Sequence, residues 1–455
     1  METMTGMLTA QEIQTAHDAV GTALRLGAQK VRVTLNKSLM DLIGTLNGEL
    51  DKVSHCLDRS MSVCLFVDGK FGSFSTNRLV DSELEEFLAN AVSMVRMLAQ
   101  DECRDLPDHS RTAKDAITGD ELKLCDSAYG KMDADRRLSM ALDAAIFGKH
   151  EGEGLISEEG EYSDSIFDTL VVDSEGLECR HTETSFEYGV EMTVQDAEGN
   201  KFSGYWWDAA PMLSDLKIAE CGEIAFERAK SQFGHRRIGS GKYTMVVDNE
   251  CSSRLVTPLL NALGGYSLQQ KNSFMVDTLG RKVLPEWLDI LDRPRSVGET
   301  GSRLFDSEGV AALEAAIIEK GVVKEYFINT YIGKKMGMEP TIEDVTRPMI
   351  PPCHAPGYSD PVSWDRDGIM KLAGDGILVT GFNGGNSNSA TGDFSFGVEG
   401  FLFKDGKIVH PVREMLVTGN LLTLWNNLMA SGSDYRLCKS KLIPTLAFSN
   451  VDFSS

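Results

Sequence analysis

The chain has 455 residues, 42% hydrophobic and 25% charged, so it is long enough for more than one domain and needs no disulfide or metal staple to fold. Lys and Arg number 45 against 68 Asp and Glu, and the formal net charge of -23 disfavours affinity gained from phosphates; we expect no direct nucleic-acid binding. Because the apolar runs are short and the amino terminus lacks a basic leader, we expect a cytoplasmic protein without a membrane span.

The amino-terminal residues predict helices around a sheet. Thr9 to Glu12 form a capping box ahead of an amphipathic helix. The dipeptide Asp68-Gly69 interrupts a strand-like run from Val63 to Phe74, which is typical of a tight hairpin turn. A second capping box at Ser82 to Glu85 precedes an apolar stripe that indicates another helix.

The middle of the chain predicts an antiparallel meander. A helical segment from Asp133 to Phe147 is followed by alternating segments, namely Ile166 to Val172, Leu177 to Thr182, Phe186 to Val194 and Lys201 to Trp207. A helix from about Leu216 to Phe233 comes next, and the Gly-rich stretch 234–242 is the best domain boundary.

We therefore predict an α+β protein with an amino-terminal α+β domain, 1–233, divisible into lobes 1–112 and 113–233. The carboxy-terminal domain, 234–455, is expected to be rich in strands, with a hairpin from Phe401 to Val409 that turns at Asp405-Gly406.

The residues alone show no complete catalytic motif. Nine cysteines are scattered without a Cys-x-x-Cys pair, which indicates reduced thiols rather than a disulfide framework or zinc knuckle. The Gly-rich run from Gly381 to Gly392 lacks the P-loop lysine, so we interpret it as an ordered loop rather than a phosphate site. The aromatic run Tyr205 to Trp207 could stack on a ligand, but we favour core packing.

Several segments, in the right order, resemble the TldD/PmbA family, also called the modulator-of-DNA-gyrase family. One is the run VVDSEGLECRHTETSFEYGVEMTVQDAEGNKFSGYWWD, within Ile166 to Asp208, and another is Gly241 to Pro294. Further matches are Phe305 to Gly309, Ile318 to Tyr326, Tyr331 to Met338 and Thr391 to Ser395. The resemblance covers nearly all of the chain and implies a two-domain α+β fold and a dimer with a central cavity.

The TldD-type branch of this family implies a zinc peptidase with a His-Glu-x-x-x-His motif on the helix after the strand that matches Tyr243 to Val247. In this sequence the corresponding segment, Asn249 to Gly265, contains no histidine. We interpret Glu250 as a first-turn helix acid. The family's later cysteine ligand matches Cys438, for which a buried thiol is the preferred role because one retained ligand cannot hold zinc.

The departure from the motif identifies the chain as similar to the TldE/PmbA-type subunit. The resemblance then implies a non-catalytic subunit without a cofactor or metal of its own, which pairs with a zinc-bearing TldD-type subunit or with itself. It also implies a role in proteolysis of extended or unfolded peptides, including toxin precursors and antitoxins.

Two other classes remain open. One is a non-enzymatic protein that binds and modulates DNA gyrase or its inhibitors. The other is an autonomous hydrolase with a different metal site, for which Cys353, His354, His410 and Cys438 are the visible ingredients. Cys353 and His354 are adjacent, and adjacent side chains rarely reach one tetrahedral ion.

Overall fold

The computed structural model describes residues 4–150 and 152–455. The chain forms two compact units. The first comprises the described residues up to Lys230 together with Arg295–Ala312, and the second comprises Ser231–Pro294 and Leu313–Ser455. Helices pack on largely antiparallel sheets, so the predicted α+β class is confirmed. The boundary predicted between 233 and 234 stays a prediction.

The first unit is built on one six-stranded antiparallel sheet with strand order β3-β2-β1-β4-β5-β6. Its elements are α1 (Ala10–Arg25), β1 (Lys30–Leu46), β2 (Glu49–Val67), β3 (Lys70–Thr76), α2 (Asp81–Val95), α3 (Ala134–Asp143), β4 (Leu155–Asp173), β5 (Glu178–Gln195), β6 (Lys201–Ala210) and α4 (Cys221–Lys230). The meander β4-β5-β6 is confirmed, although two of its predicted segments join into the single strand β5. Helix α4 is shorter than the predicted helix.

Local sequence signals explain how α1 and α2 begin. The Thr9 side chain accepts from the Glu12 amide at 3.2 Å, and the Glu12 carboxylate accepts from the Thr9 amide at 2.8 Å, which confirms the first capping box. The second capping box was wrong, because α2 begins at Asp81 after Val80, which makes no side-chain cap. Its apolar stripe is confirmed, since these residues are buried against the sheet: Leu84, Leu88, Ala91, Val92 and Val95.

The hairpin between β2 and β3 has the predicted turn. Asp68 and Gly69 have φ of 52° and 72°, as a type I′ turn requires at both central positions. Because β3 is short, it pairs only with the carboxy-terminal part of β2, Met61–Val67. The preceding part of β2 pairs with β1 alone.

The second unit contains a four-stranded sheet, β10-β9-β8-β11, and a seven-stranded sheet. Its elements are β7 (Gly241–Val247), α5 (Ser253–Asn261), α6 (Gly265–Gln269), β8 (Ile290–Asp292), β9 (Ala315–Glu319), β10 (Val322–Val323), α7 (Thr330–Met336), β11 (Pro348–Met349), β12 (Cys353–His354), α8 (Arg366–Ala373), β13 (Gly376–Ser387), β14 (Asp393–Lys404), β15 (Lys407–Asn420), α9 (Leu421–Asn426), β16 (Leu428–Ser431) and β17 (Leu446–Ser454).

The larger sheet of the second unit closes on itself. Its order is β12-β16-β17-β15-β14-β13-β7, and β17 also pairs with β7, so that β7, β13, β14, β15 and β17 form a ring. The predicted hairpin at Asp405-Gly406 joins β14 to β15 and is confirmed. The ring packs with α5 around a core in which Trp425 and Phe448 are fully buried.

Within the described ranges, no helix is long and apolar enough to cross a membrane.

Candidate functional site

Helix α5 is fixed to the core of the second unit by one apolar face. In the turn after β7, Asp248 accepts a hydrogen bond from the Glu250 amide at 3.0 Å. Ser252 is fully buried and donates from Oγ to the Ile443 carbonyl at 3.1 Å. The buried residues of α5 are Leu255, Val256, Leu259 and Leu260. This spacing leaves the opposite face of the helix to polar residues.

The polar face of α5 lines a cleft of about 870 Å³, which we call the α5 cleft. One wall is formed by Glu250, Arg254, Thr257 and Asn261, and the other by β13 and the residues that follow it. Three aromatic rings and several small polar side chains complete the lining: Phe274, Phe382, Phe396, Asn386, Ser387, Asn388 and Ser389. This mixture suits a ligand with both main-chain polar groups and apolar side chains.

Strand β13 gives the cleft a free sheet edge. It pairs with β14 on one side, whereas on the other side it pairs with β7 only at Ile377–Val379. Beyond Val379, no strand in the described part of the chain pairs with this second edge. Arg254 donates from Nη2 to the Gly385 carbonyl at 3.0 Å, and its guanidinium lies 4.9 Å from the Phe396 ring centroid. The edge can therefore bind an extended chain through its main chain.

The Gly-rich run is thus largely a strand, and the loop interpretation was wrong for that part. A bulge lies between Asn383 and Asn386. Gly384 and Gly385 have φ of +68° and +80°, and a Cβ on Gly385 would lie 2.0 Å from the Ser395 carbonyl oxygen. Only glycine fits this position, which lets β13 bend along the cleft.

Three cationic side chains from the segment before β17 surround the start of α5. Arg436 forms an ion pair with the Glu250 carboxylate. Lys439 donates from Nζ to the Glu250 carbonyl at 2.7 Å and lies 3.2 Å from its carboxylate. Lys441 donates from Nζ to the Thr257 hydroxyl at 3.0 Å. Glu250 precedes α5, which begins at Ser253, so its assignment as a first-turn acid was wrong; it is an ion-paired residue.

The other candidate residues are engaged elsewhere in the second unit. Cys353 Sγ lies 3.3 Å from Ser431 Oγ, and burial raises the pKa of the Cys353 thiol. His354 Nε2 lies 3.1 Å from a carboxylate oxygen of Asp360. His410 is on β15, where its Nδ1 lies 3.0 Å from the following carbonyl.

Cys438 is buried, in the segment between β16 and β17. Among the residues that the structure describes, no three His, Cys, Asp or Glu side chains come together as a metal site. No three of the residues considered for the autonomous hydrolase, namely Cys353, His354, His410 and Cys438, therefore come together as a metal site among the described residues.

In the first unit, the aromatic residues on β6 are not packed in the core as the sequence predicted. Tyr205 is 52% exposed, and Trp206 and Trp207 are half-buried. The Arg228 guanidinium lies 5.2 Å from the Trp206 ring centroid. Core packing was wrong for these rings, because the buried positions of the strand are Phe202, Gly204, Ala209 and Ala210.

Two family models match the chain. Residues 123–233 match the PmbA/TldA metallopeptidase central domain, and residues 240–455 match the PmbA/TldA metallopeptidase C-terminal domain. The chain belongs to the PmbA/TldD metallopeptidase family. Metalloprotease PmbA of Escherichia coli O157:H7 is 26% identical over 446 residues, covering 94% of this chain and 95% of that protein. The family resemblance predicted from the sequence is confirmed.

Solved structures of the PmbA/TldD family share the fold. A proposed modulator of DNA gyrase from Bacteroides thetaiotaomicron is 39% identical with a TM-score of 0.92, covering 99% of this chain and 100% of that one. TldE from Thermococcus kodakarensis has a TM-score of 0.81 at 16% identity, covering 97% of this chain and 100% of that one. At that identity the likeness to TldE concerns the fold alone.

The residues around α5 do not fit the zinc that the name of the PmbA/TldD family implies. Helix α5 offers Thr257 and Asn261 to the cleft, neither of which is an ordinary zinc ligand. Glu250 and Cys251 also line the cleft, but the Glu250 carboxylate is paired with Arg436 and Lys439, and the Cys251 thiol donates to the carbonyls of Asp248 and Val379. The ammonium group of Lys441 lies beside Thr257 and would repel a divalent cation. No catalytic step can be assigned to a metal at this place.

Sequence reasoning missed the free edge of β13 and the cations before β17. The cations had a signal, because Arg436, Lys439 and Lys441 are close in sequence. The edge had none, since it depends on where β7 ends relative to β13.

Proposed function

We propose that this chain is a TldE/PmbA-type subunit of a TldD/PmbA-type metallopeptidase complex, in which it holds an extended peptide while a TldD-type partner carries the zinc. The observation that carries the proposal is the free edge of β13 opposite a polar helix face that lacks zinc ligands. Membership of a metallopeptidase family supports peptides as the ligand class.

The α5 cleft binds an extended peptide through the main chain of that peptide. A peptide laid along β13 would exchange backbone hydrogen bonds with the edge, and this requires an unfolded segment. Phe274 and Phe382 provide apolar contact for its side chains, while the polar residues after Gly385 bind its remaining amide groups. Arg254 orients the edge through its hydrogen bond to the Gly385 carbonyl.

The substrates of the complex are unfolded or extended polypeptides, such as toxin precursors and antitoxins. The chain assembles with a TldD-type subunit or with itself, and a stable dimer of this kind buries more than about 2,000 Å². Hydrolysis takes place at the partner's zinc, so the chain is a non-catalytic subunit.

Binding of reduced, carboxymethylated casein to the purified chain tests the α5 cleft. Asn261→Trp fills the cleft from the exposed side of α5 and should weaken binding at least tenfold, about 1.4 kcal/mol. Asn77→Trp makes the same substitution at an exposed residue of the first unit and should leave binding unchanged. Equal binding by both variants, with both folded by circular dichroism, would exclude the cleft as the peptide site.

A second candidate is a non-enzymatic modulator of DNA gyrase or its inhibitors. The description of the similar Bacteroides structure favours it. The net charge of -23 means that such contact would join protein to protein. Binding to purified gyrase, without any contribution to peptide cleavage in the presence of a TldD-type partner, would support this candidate over the first.

A further inference from the structure

The amino-terminal part of β2 is an open sheet edge. Residues 49–59 are all exposed, although they are in a strand that pairs with β1 and has one bulge, at Asp51. Val53 and Leu57 are 64% and 57% exposed. Since β3 reaches back only to Met61, no strand in the described ranges covers the outer side of β2 before that residue. Natural proteins rarely leave such an edge without a partner or a means of protection.

The hairpin turn determines which backbone groups face outwards. Val67 and Lys70 close a two-residue type I′ turn, and residues in that position exchange both of their backbone hydrogen bonds. Odd-numbered residues of β2 therefore direct their N–H and C=O groups towards β3. The pairing with β1 has no irregularity between Lys52 and Phe66, so this alternation continues along the strand. Val53, His55 and Leu57 consequently present their N–H and C=O groups at the open edge.

The sequence of this edge is complementary to itself when it is read backwards from His55. In an antiparallel pair of two copies centred there, Val53 lies opposite Leu57, and Lys52 lies opposite Asp58. Asp51 is the extra residue of a bulge on β2, so it has no set position opposite Arg59. Each pair occurs twice by symmetry, and directly opposite residues of opposite charge stabilise a sheet. Moving the centre to Val53 or to Leu57 removes the pairing of Lys52 with Asp58.

The charged side chains of the edge can still form ion pairs with a second copy. In the part of the chain that the structure describes, Asp58 forms no ion pair. Lys52 lies 2.7 Å from Glu161. Its side chain remains about half exposed, so it can also contact a carboxylate across the edge.

We propose that the β2 edge, Glu49–Ser60, pairs with the same edge of a second copy of this chain, antiparallel about a two-fold axis at His55. The two six-stranded sheets then form one continuous sheet. His55 of each copy exchanges both backbone hydrogen bonds with His55 of the other, and the apolar and charged pairs fix the register. The proposal shares dimeric assembly with the proposed function, but it involves no residue of the α5 cleft.

Charge reversal tests the register. Lys52→Glu places two carboxylates opposite each other at both symmetric positions, and Asp58→Lys does the same with two ammonium groups. Each variant should be a monomer by light scattering at micromolar concentration, while an equimolar mixture should form a heterodimer because both charged pairs are restored. Lys201→Glu, on the opposite edge strand β6, should stay a dimer like the wild type. A monomeric wild type, dimeric single variants or a mixture that stays monomeric would each overturn the proposal.

A cross-link gives a second measurement. Ser54 lies opposite Cys56 of the second copy in a non-hydrogen-bonded pair, where the Cα atoms are about 4.5 Å apart, within the range that a disulfide spans. Under oxidation by diamide, Ser54→Cys should form a covalent dimer linked between position 54 and Cys56. The double variant Ser54→Cys, Cys56→Ser should not form this link. Absence of the 54–56 link would count against the register.

These outcomes are separable from those of the proposed function. Asn261→Trp should remain a dimer, and Lys52→Glu should still bind carboxymethylated casein in the α5 cleft. A different result would identify the β2 edge as a peptide site. In that case the wild type would be a monomer that binds casein, and Leu57→Pro, which removes an outward N–H, would abolish this binding. The pairing of two copies would then be wrong.

Discussion

Lys441 and Thr257 are joined by a hydrogen bond of 3.0 Å from the ammonium Nζ to the hydroxyl, on the face of α5 that lines the cleft. A cation is therefore fixed beside the helix for which the sequence resemblance implies the metal motif of TldD-type subunits. Together with Arg436 and Lys439, it makes this region unfavourable for a second positive charge.

The first prediction concerns metal content. The purified chain should contain well under one equivalent of zinc by elemental analysis, since the residues that the structure describes place no metal-ligand set around Cys438. Cys438→Ser should not change that value. Stoichiometric zinc that Cys438→Ser removes would contradict the prediction.

The second prediction concerns cleavage. The chain alone should not cleave casein, whereas a mixture with a TldD-type partner should do so, and a chelator should abolish the reaction. Cys438→Ser in this chain should have little effect, while replacing the motif glutamate of the partner should stop cleavage because that residue is the general base. Chelator-sensitive cleavage by this chain alone would revive the autonomous hydrolase.

The third prediction concerns acid stability. Burial raises the pKa of Glu12, but hydrogen bonds from the Thr9 amide, Arg59 and Lys37 outweigh it and hold the pKa at about 2. Because the folded-state pKa is depressed, the stabilisation is fully present above the unfolded value of 4.5 and is lost as the pH falls towards 2. The free energy of unfolding, measured with urea, should therefore be lower for Glu12→Gln than for the wild type at pH 6, and this difference should shrink by pH 2.5. Exposed Glu198→Gln should match wild type throughout.

The fourth prediction concerns a buried ion pair in the first unit. Arg137 Nε lies 2.9 Å from Asp164, and its Nη2 lies 3.2 Å from Asp41. Asp164→Ala leaves a buried guanidinium with one carboxylate and should reduce the free energy of unfolding by about 3–5 kcal/mol. Glu286→Ala breaks the exposed pair with Lys282 and should cost at most about 0.5 kcal/mol by the same denaturant titration. Equal losses of unfolding free energy in the two variants would show that burial does not determine how much an ion pair stabilises this protein.

Local signals were sufficient for much of the fold. The capping box at Thr9 and the turns at Asp68-Gly69 and Asp405-Gly406 depend on neighbouring residues only, and each was predicted. The site depends on distant ones. The free edge of β13 exists because β7 pairs with only three of its residues, and the role of Glu250 depends on cations almost two hundred positions later. No local pattern encodes such pairings.

The closed ring of the second unit has a consequence for biosynthesis. Lys242 and Asp452, which form an ion pair between β7 and β17, are 210 positions apart. Until the ribosome releases β17, the edges of β7 and β15 that this strand covers stay unpaired and available to other nascent chains. Closing so long a loop is also slow. Expression of this protein should therefore depend on chaperones during the last stage of translation, and variants truncated before Leu446 should aggregate rather than accumulate as a folded amino-terminal fragment.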